Sequence, residues 1–154
     1  MNKKETLILG VGNPLRRDDG IGPKIISLLS EDETFTDLSS GYELADGGTD
    51  GLGLIEYFRT YKKVILIDAV EMGMKPGSVK IFTPPEASIQ IDTDSLSTHG
   101  FGIPELIKLS IELGILPELT IVGIQPYNTG YGEELSEMVK TSINIVLAYF
   151  KMTN

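Results

Sequence analysis

The residues able to do chemistry here are few, because the 154-residue sequence has one histidine and no cysteine. Disulfides, thiolate zinc sites, iron-sulfur ligation and cysteine nucleophiles are thereby excluded. Asp68 follows Val64, Ile65, Leu66 and Ile67, so its carboxylate ends a buried strand and needs a partner to offset desolvation. A cation would serve, as would backbone N–H groups or a turn that the side chain caps. Asp18 and Asp19 are adjacent and precede an apolar helical stretch, where the helix dipole favours anions and an aspartate often caps the first turn. Two neighbouring acids also permit a division of labour in which one caps and the other points into a crevice. His99 lies in Ser97-Thr98-His99-Gly100, either as a hydrogen-bonded loop residue or as the one available imidazole ligand or base. Asp19, Asp68 and His99 together would hold a divalent transition metal and leave positions open for water or another ligand.

These side chains meet only if the elements between them bring the loops together. Apolar periodicity alternates between short β-type runs and helical runs, the pattern of a parallel sheet covered by helices. Residues 6–11 form a nearly continuous apolar run, typical of a strand buried on both faces, and stop at Gly12. A helix opens near Gly22 and Pro23, with Ile21, Ile25, Leu28 and Leu29 on one stripe. A weaker strand over residues 42–45 ends at Asp46, after which Gly47 and Gly48 turn the chain into a short helix with Leu52, Ile55, Tyr57 and Phe58 on its apolar face. Residues 64–69 make the clearest strand. Only about eight residues separate it from the next β-like run, residues 78–82, too few for a helical crossover, so that strand is antiparallel and near an edge. Residues 83–98 read as a long irregular loop.

A helix over about residues 104–113 directs Ile103, Leu106, Ile107 and Ile111 inward and ends at Gly114. A strand follows over residues 119–124. The last helix carries Leu135, Met138, Val139, Ile143, Val146, Leu147 and Phe150 on a stripe of period 3.6. The expected fold is a single three-layer α/β domain over residues 1–154, of phosphorylase/hydrolase-like type. Its sheet is five-stranded and mostly parallel, with one antiparallel edge strand and helices on both faces. Ligands of such sheets bind beyond the carboxyl ends of the strands, where strand order reverses. An order beginning 2-1-3 would make the loops carrying Asp19, Asp46 and Asp68 converge.

Charge and hydropathy narrow the partners. With 22 acidic and 13 basic residues the formal charge is −9, so nucleic acid would be repelled over most of the surface. No run approaches the ~18 apolar residues of a membrane-spanning helix, and the apolar stretch after the first lysines is too short for an export signal. A cytoplasmic setting is the simplest match. Gly10 and Gly12 occupy the first two glycine places of a dinucleotide fingerprint, but Leu15 takes the third; His-Glu-x-x-His, Gly-x-Ser-x-Gly and P-loop signatures are absent.

Read together, Gly10-Val11-Gly12-Asn13 with Asp18-Asp19-Gly20, then Asp46-Gly47-Gly48-Thr49, Asp68-Ala69, Ser97-Thr98-His99 and Gly123-Ile124-Gln125-Pro126 resemble the nickel-iron hydrogenase maturation protease family. The resemblance runs in the same order over nearly the whole chain. It implies a metal-dependent endopeptidase that removes a short C-terminal extension from the nickel-loaded precursor of a hydrogenase large subunit. It also implies Asp19, Asp68 and His99 as the catalytic, metal-binding residues. Many members carry glutamate at the first position, so Asp19 is one methylene shorter and Asp18 stands beside it as an alternative. Asp46, Gly47, Gly48 and Thr49 match the family's glycine loop, where absent side chains let backbone approach an extended peptide. The nickel is expected to come with the substrate, with cadmium or zinc able to take its place in the isolated protein, which is expected to be a monomer. A metal in such a site can act as a recognition mark or lower the pKa of water for attack on the scissile carbonyl. The competing reading is a non-catalytic α/β module that binds nucleotide or precursor.

Overall fold

Residues without polar side chains dominate the centre of the chain's strands, and those strands become the middle of one twisted sheet. The computed structural model describes residues 3–38, 41–84 and 102–152. β1 (Lys4–Val11) lies between β2 (Tyr42–Gly48) and β3 (Tyr61–Ala69). Both are parallel to it. β4 (Val79–Phe82) is the antiparallel edge strand, paired with β5 (Glu118–Ile124), which runs parallel to β3. The order is β2-β1-β3-β5-β4. The expected fold class, with its 2-1-3 start and antiparallel edge, is what the chain adopts.

Side-chain alternation divides the core between two faces. Ile8, Ile65, Ile67 and Val122 pack with α1 (Ile21–Glu31), α2 (Glu33–Leu38) and the last helix, α5 (Glu137–Met152). Leu7, Leu9, Val64, Leu66 and Ile121 pack with α3 (Leu54–Thr60) and α4 (Ile103–Glu112). Ile8 has no exposed surface. Ile8→Val is therefore expected to cost about 0.5–1.5 kcal/mol in denaturant unfolding, the price of one methyl-sized void in a tight layer. An unchanged midpoint would mean that the layer closes over the gap.

Several sequence expectations are corrected. β2 does not end at Asp46 but continues through Gly48, with a register shift that sets Gly10 against Asp46 and Val11 against Gly48. Gly47 is the extra residue of this bulge, a device that bends a strand end. α2 was not foreseen, because a six-residue helix whose only apolar residues are Phe35 and Leu38 is too short to show a helical period; Phe35 is buried and meets Phe150 edge-on at 6.5 Å. Ile26, rather than Leu28, joins the fully packed side of α1. Leu52 and Ile111, read as inward-facing, are exposed, as Met138 is in part. Leu52 precedes the first turn of α3, and Ile111 falls in the last turn of α4, where the stripe has rotated off the sheet. Most of the long loop expected over residues 83–98 lies outside the described residues.

Candidate functional site

Two glycines let the carboxyl ends of β1 and β3 come close to the turn that follows β1. Gly12 has φ +143°, and a Cβ there would overlap the carbonyl of Asp19. At Gly22 a Cβ would lie 2.5 Å from the Val11 carbonyl oxygen and 2.6 Å from that of Ile67. The first turn of α1 thus rests directly on the ends of both strands. Just before it, residues Arg17–Gly20 form a 3-10 turn, and this turn delivers the paired acids to the mouth of the sheet.

Asp19 and Asp68 are both 2% exposed. Asp19 Oδ2 accepts a hydrogen bond of 3.0 Å from the Asn13 N–H. Asp68 ends β3 opposite Gly123 of β5, and its Oδ1 is buried without a hydrogen-bond partner among the described residues. Burial, and after it the charge of Asp19, push Asp68 well above the ordinary carboxylate range; the Ala69 backbone N–H pulls weakly the other way. Two of the three sequence candidates are therefore brought together, at a place where added negative charge is unfavourable and a cation would be favourable. His99 lies outside the described residues.

Asp18 has a different task. It is fully buried. Its Oδ2 accepts from the N–H groups of Tyr127 (2.9 Å) and Asn128 (2.8 Å) and from Ser136 Oγ (2.8 Å), while Oδ1 accepts from the Ser136 N–H (2.7 Å). The Arg17 and Asp18 N–H groups donate to Gly132 and Asn128 carbonyls at 2.8 and 3.0 Å. Neither acid caps α1, whose N-cap Gly20 has no side-chain hydrogen bond; the capping expectation gives way to an anchor between distant loops. That saturated hydrogen bonding also removes Asp18 as a substitute for Asp19.

Asp46 is exposed, and its Oδ1 accepts the Gly48 N–H at 2.9 Å. A Cβ on Gly47 would come within 2.8 Å of Leu54 Cδ2 and 3.0 Å of Leu9 Cδ1, so any side chain there would have to displace those two leucine methyls. Gly48 has φ +66°, and Thr49 is exposed. The Asp46–Thr49 run is thus the bulged end of β2, level with the ends of β1 and β3. Beside it opens a cleft of about 500 Å³ whose charged lining is Arg17, Lys24, Asp46, Glu133, Glu134 and Lys140.

Gln125, named in the sequence only within the Gly123–Pro126 motif and given no role there, is 3% exposed just beyond β5. Its Oε1 accepts from the Met72 and Met74 N–H groups, and its Nε2 donates to Glu71 and to the Pro126 carbonyl. It ties the segment after β3 to the mouth of the sheet. The available signal was a polar residue directly after an apolar strand, the same signal that singled out Asp68.

Comparison with known proteins gives one consistent result. A family model described as hydrogenase maturation protease matches residues 23–150. The hydrogenase expression/formation protein HupM of Azotobacter chroococcum is 35% identical over 144 residues, 92% of this chain and 68% of that protein. HoxM of Azotobacter vinelandii, described in the same words, is 34% identical over 149 residues, 96% of this chain and 70% of its own length. Among solved structures, the hydrogenase maturating endopeptidase HybD from E. coli superposes with a TM-score of 0.76 at 27% identity, covering 97% of this chain and 94% of the other.

Proposed function

This chain belongs to the hydrogenase maturation protease family, whose members are hydrolases, and from that premise we propose that it cuts a short C-terminal extension from the nickel-loaded precursor of a nickel-iron hydrogenase large subunit. In this reading Asp19 and Asp68 supply oxygen ligands and His99 an imidazole to the nickel that the precursor brings. The observation that carries it is the bare, buried Asp68 Oδ1 beside Asp19. A buried carboxylate with one oxygen left without a partner is unfavourable as an anion, and a divalent cation reverses that preference. The donor set suits nickel, cadmium or zinc. When bound, such a cation can polarise a carbonyl or lower the pKa of water. The chain's own part is to hold the ligands in a dry crevice and to bring the scissile segment alongside the glycine-lined end of β2 at Asp46–Thr49.

The same reading takes the protein as a cytoplasmic monomer acting on another protein, with no role for nucleic acid or a membrane. The charge of −9 agrees with the former. Among the described residues no helix is long and apolar enough to cross a membrane.

The deciding experiment incubates the protein with a nickel-loaded large-subunit precursor, with and without its tail, and reads intact mass. Loss of the tail from the nickel-loaded form, but not from the nickel-free form, is the expected result. A precursor left whole under both conditions would end the proposal. Thermal melting supplies an independent check: zinc or cadmium at 100 times its dissociation constant should stabilise the fold by about 2.7 kcal/mol. A response to nucleotides alone would favour a binding module.

A further inference from the structure

We infer that the cleft beside Asp46 receives the free end of the segment that is cut away, with its terminal carboxylate paired to Arg17 and Lys24. This rests on the endopeptidase reading above. A protease that removes a short tail handles a chain terminus as well as a scissile bond, and that terminus is a carboxylate with an ordinary pKa near 3.5, ionised at neutral pH.

The cleft has the size of a peptide-end or small-molecule site, at about 500 Å³. Its charges are not equally available. Lys140 is paired with Glu137 at 2.9 Å, and Asp46 Oδ1 is occupied by the Gly48 N–H. Arg17 and Lys24 make no ion pair with any described residue. The lining is balanced overall, with three basic and three acidic side chains, but Arg17 and Lys24 are its two cations without an ion-pair partner among the described residues, and so the two open to a carboxylate.

Arg17 is also held in place. It is the one described residue other than glycine with positive φ, at 44°. Its N–H donates to the Gly132 carbonyl, and its guanidinium lies where a side chain on Gly132 would stand, 2.7 Å from an ideal Cβ. Backbone strain of this kind gathers at functional sites. A guanidinium packed over Gly132 and without an ion pair can present its planar fork to a carboxylate. The turn that holds Arg17 also carries Asp19, so a tail end bound there is registered against the Asp19–Asp68 pair through two residues of backbone. Glu133 and Glu134 line the same cleft and set a charge rule for the tail: acidic side chains next to its terminus are disfavoured.

The test compares cleavage of two precursors, one with its natural tail and one whose tail is lengthened by several uncharged residues, so that the carboxylate is displaced. Wild-type protein, Lys24→Glu and Arg17→Lys are assayed on both. Lys24 is exposed on α1, so its reversal leaves the fold intact, as a melting curve would verify. The longer tail should lower wild-type kcat/KM by at least about tenfold, the loss of the carboxylate's contacts to Arg17 and Lys24. Lys24→Glu should cost about as much on the natural tail and little more on the long one, because the contact is already gone there. Equal cutting of both tails by the wild type, or an equal effect of Lys24→Glu on both, overturns the inference and leaves the endopeptidase activity standing. Failure to cut even the natural precursor overturns the activity, and with it this assignment.

Discussion

Replacing Asp68 by asparagine is expected to end precursor processing and, in the same molecule, to raise the melting temperature at neutral pH. The two effects have one origin. Burial and the charge of Asp19 raise the folded-state pKa of Asp68 well above the ordinary aspartate value of 3.8. The native state therefore holds this proton more tightly than the unfolded state does. The stability linked to it is complete below the ordinary carboxylate pKa and is lost as pH rises through the raised folded value. At neutral pH the unliganded wild type carries that penalty, and the uncharged amide does not. Each kcal/mol relieved should appear as a rise of roughly 2–4 °C for a chain of this size. The advantage of the variant should shrink toward zero as the pH approaches 4.

Processing moves the other way. Loss of outer partners of metal ligands commonly costs 10–100-fold, so on the proposal that Asp68 is a ligand its loss should cost at least about a hundredfold. On the same proposal, His99→Ala should lower processing to a similar extent. An Asp68→Asn variant that melts at or below the wild-type temperature at neutral pH would show that the charge is already compensated within the chain. The argument for a cation at this crevice would then fail.

How much of this was legible in the sequence depended on how local each cause is. The run Val64-Ile65-Leu66-Ile67-Asp68 announces a buried strand ending in an acid, because apolar continuity and a polar stop lie within five residues. The antiparallel edge was readable for the same reason: the short spacing from β3 to β4 forbids a crossover. The β2 bulge was not, since the close neighbours of Gly47 are Leu9 and Leu54, from another strand and a helix. α2 escaped because its packing rests on Phe35 against Phe150 and Tyr42, contacts with no periodic trace. The availability of Arg17 and Lys24 is likewise a tertiary fact, decided by which carboxylates fall beyond reach. Asp18 and Asp19 look alike in sequence, and only their partners separate them.

That separation gives the second large effect. Asp18→Ala is expected to destabilise the protein by about 3–5 kcal/mol, the range for breaking a buried hydrogen-bond network. The three N–H groups of Tyr127, Asn128 and Ser136 and the Ser136 hydroxyl all converge on this one carboxylate, and alanine leaves each of them to find water or nothing. Its partners lie 109 to 118 residues away, so the loss frees the 3-10 turn from the segment between β5 and α5. Asp18→Asn should fall between the two, since its amide oxygen can still accept while its NH2 group faces other donors. Asp19→Asn should behave oppositely: its melting temperature should hold or rise, because it relieves the like charge beside Asp68, while cleavage collapses. Denaturant unfolding and processing rates measured on these variants separate an anchor from a ligand. If Asp18→Ala unfolds at the wild-type midpoint while Asp19→Asn loses several kcal/mol, the two acids have been assigned each other's work.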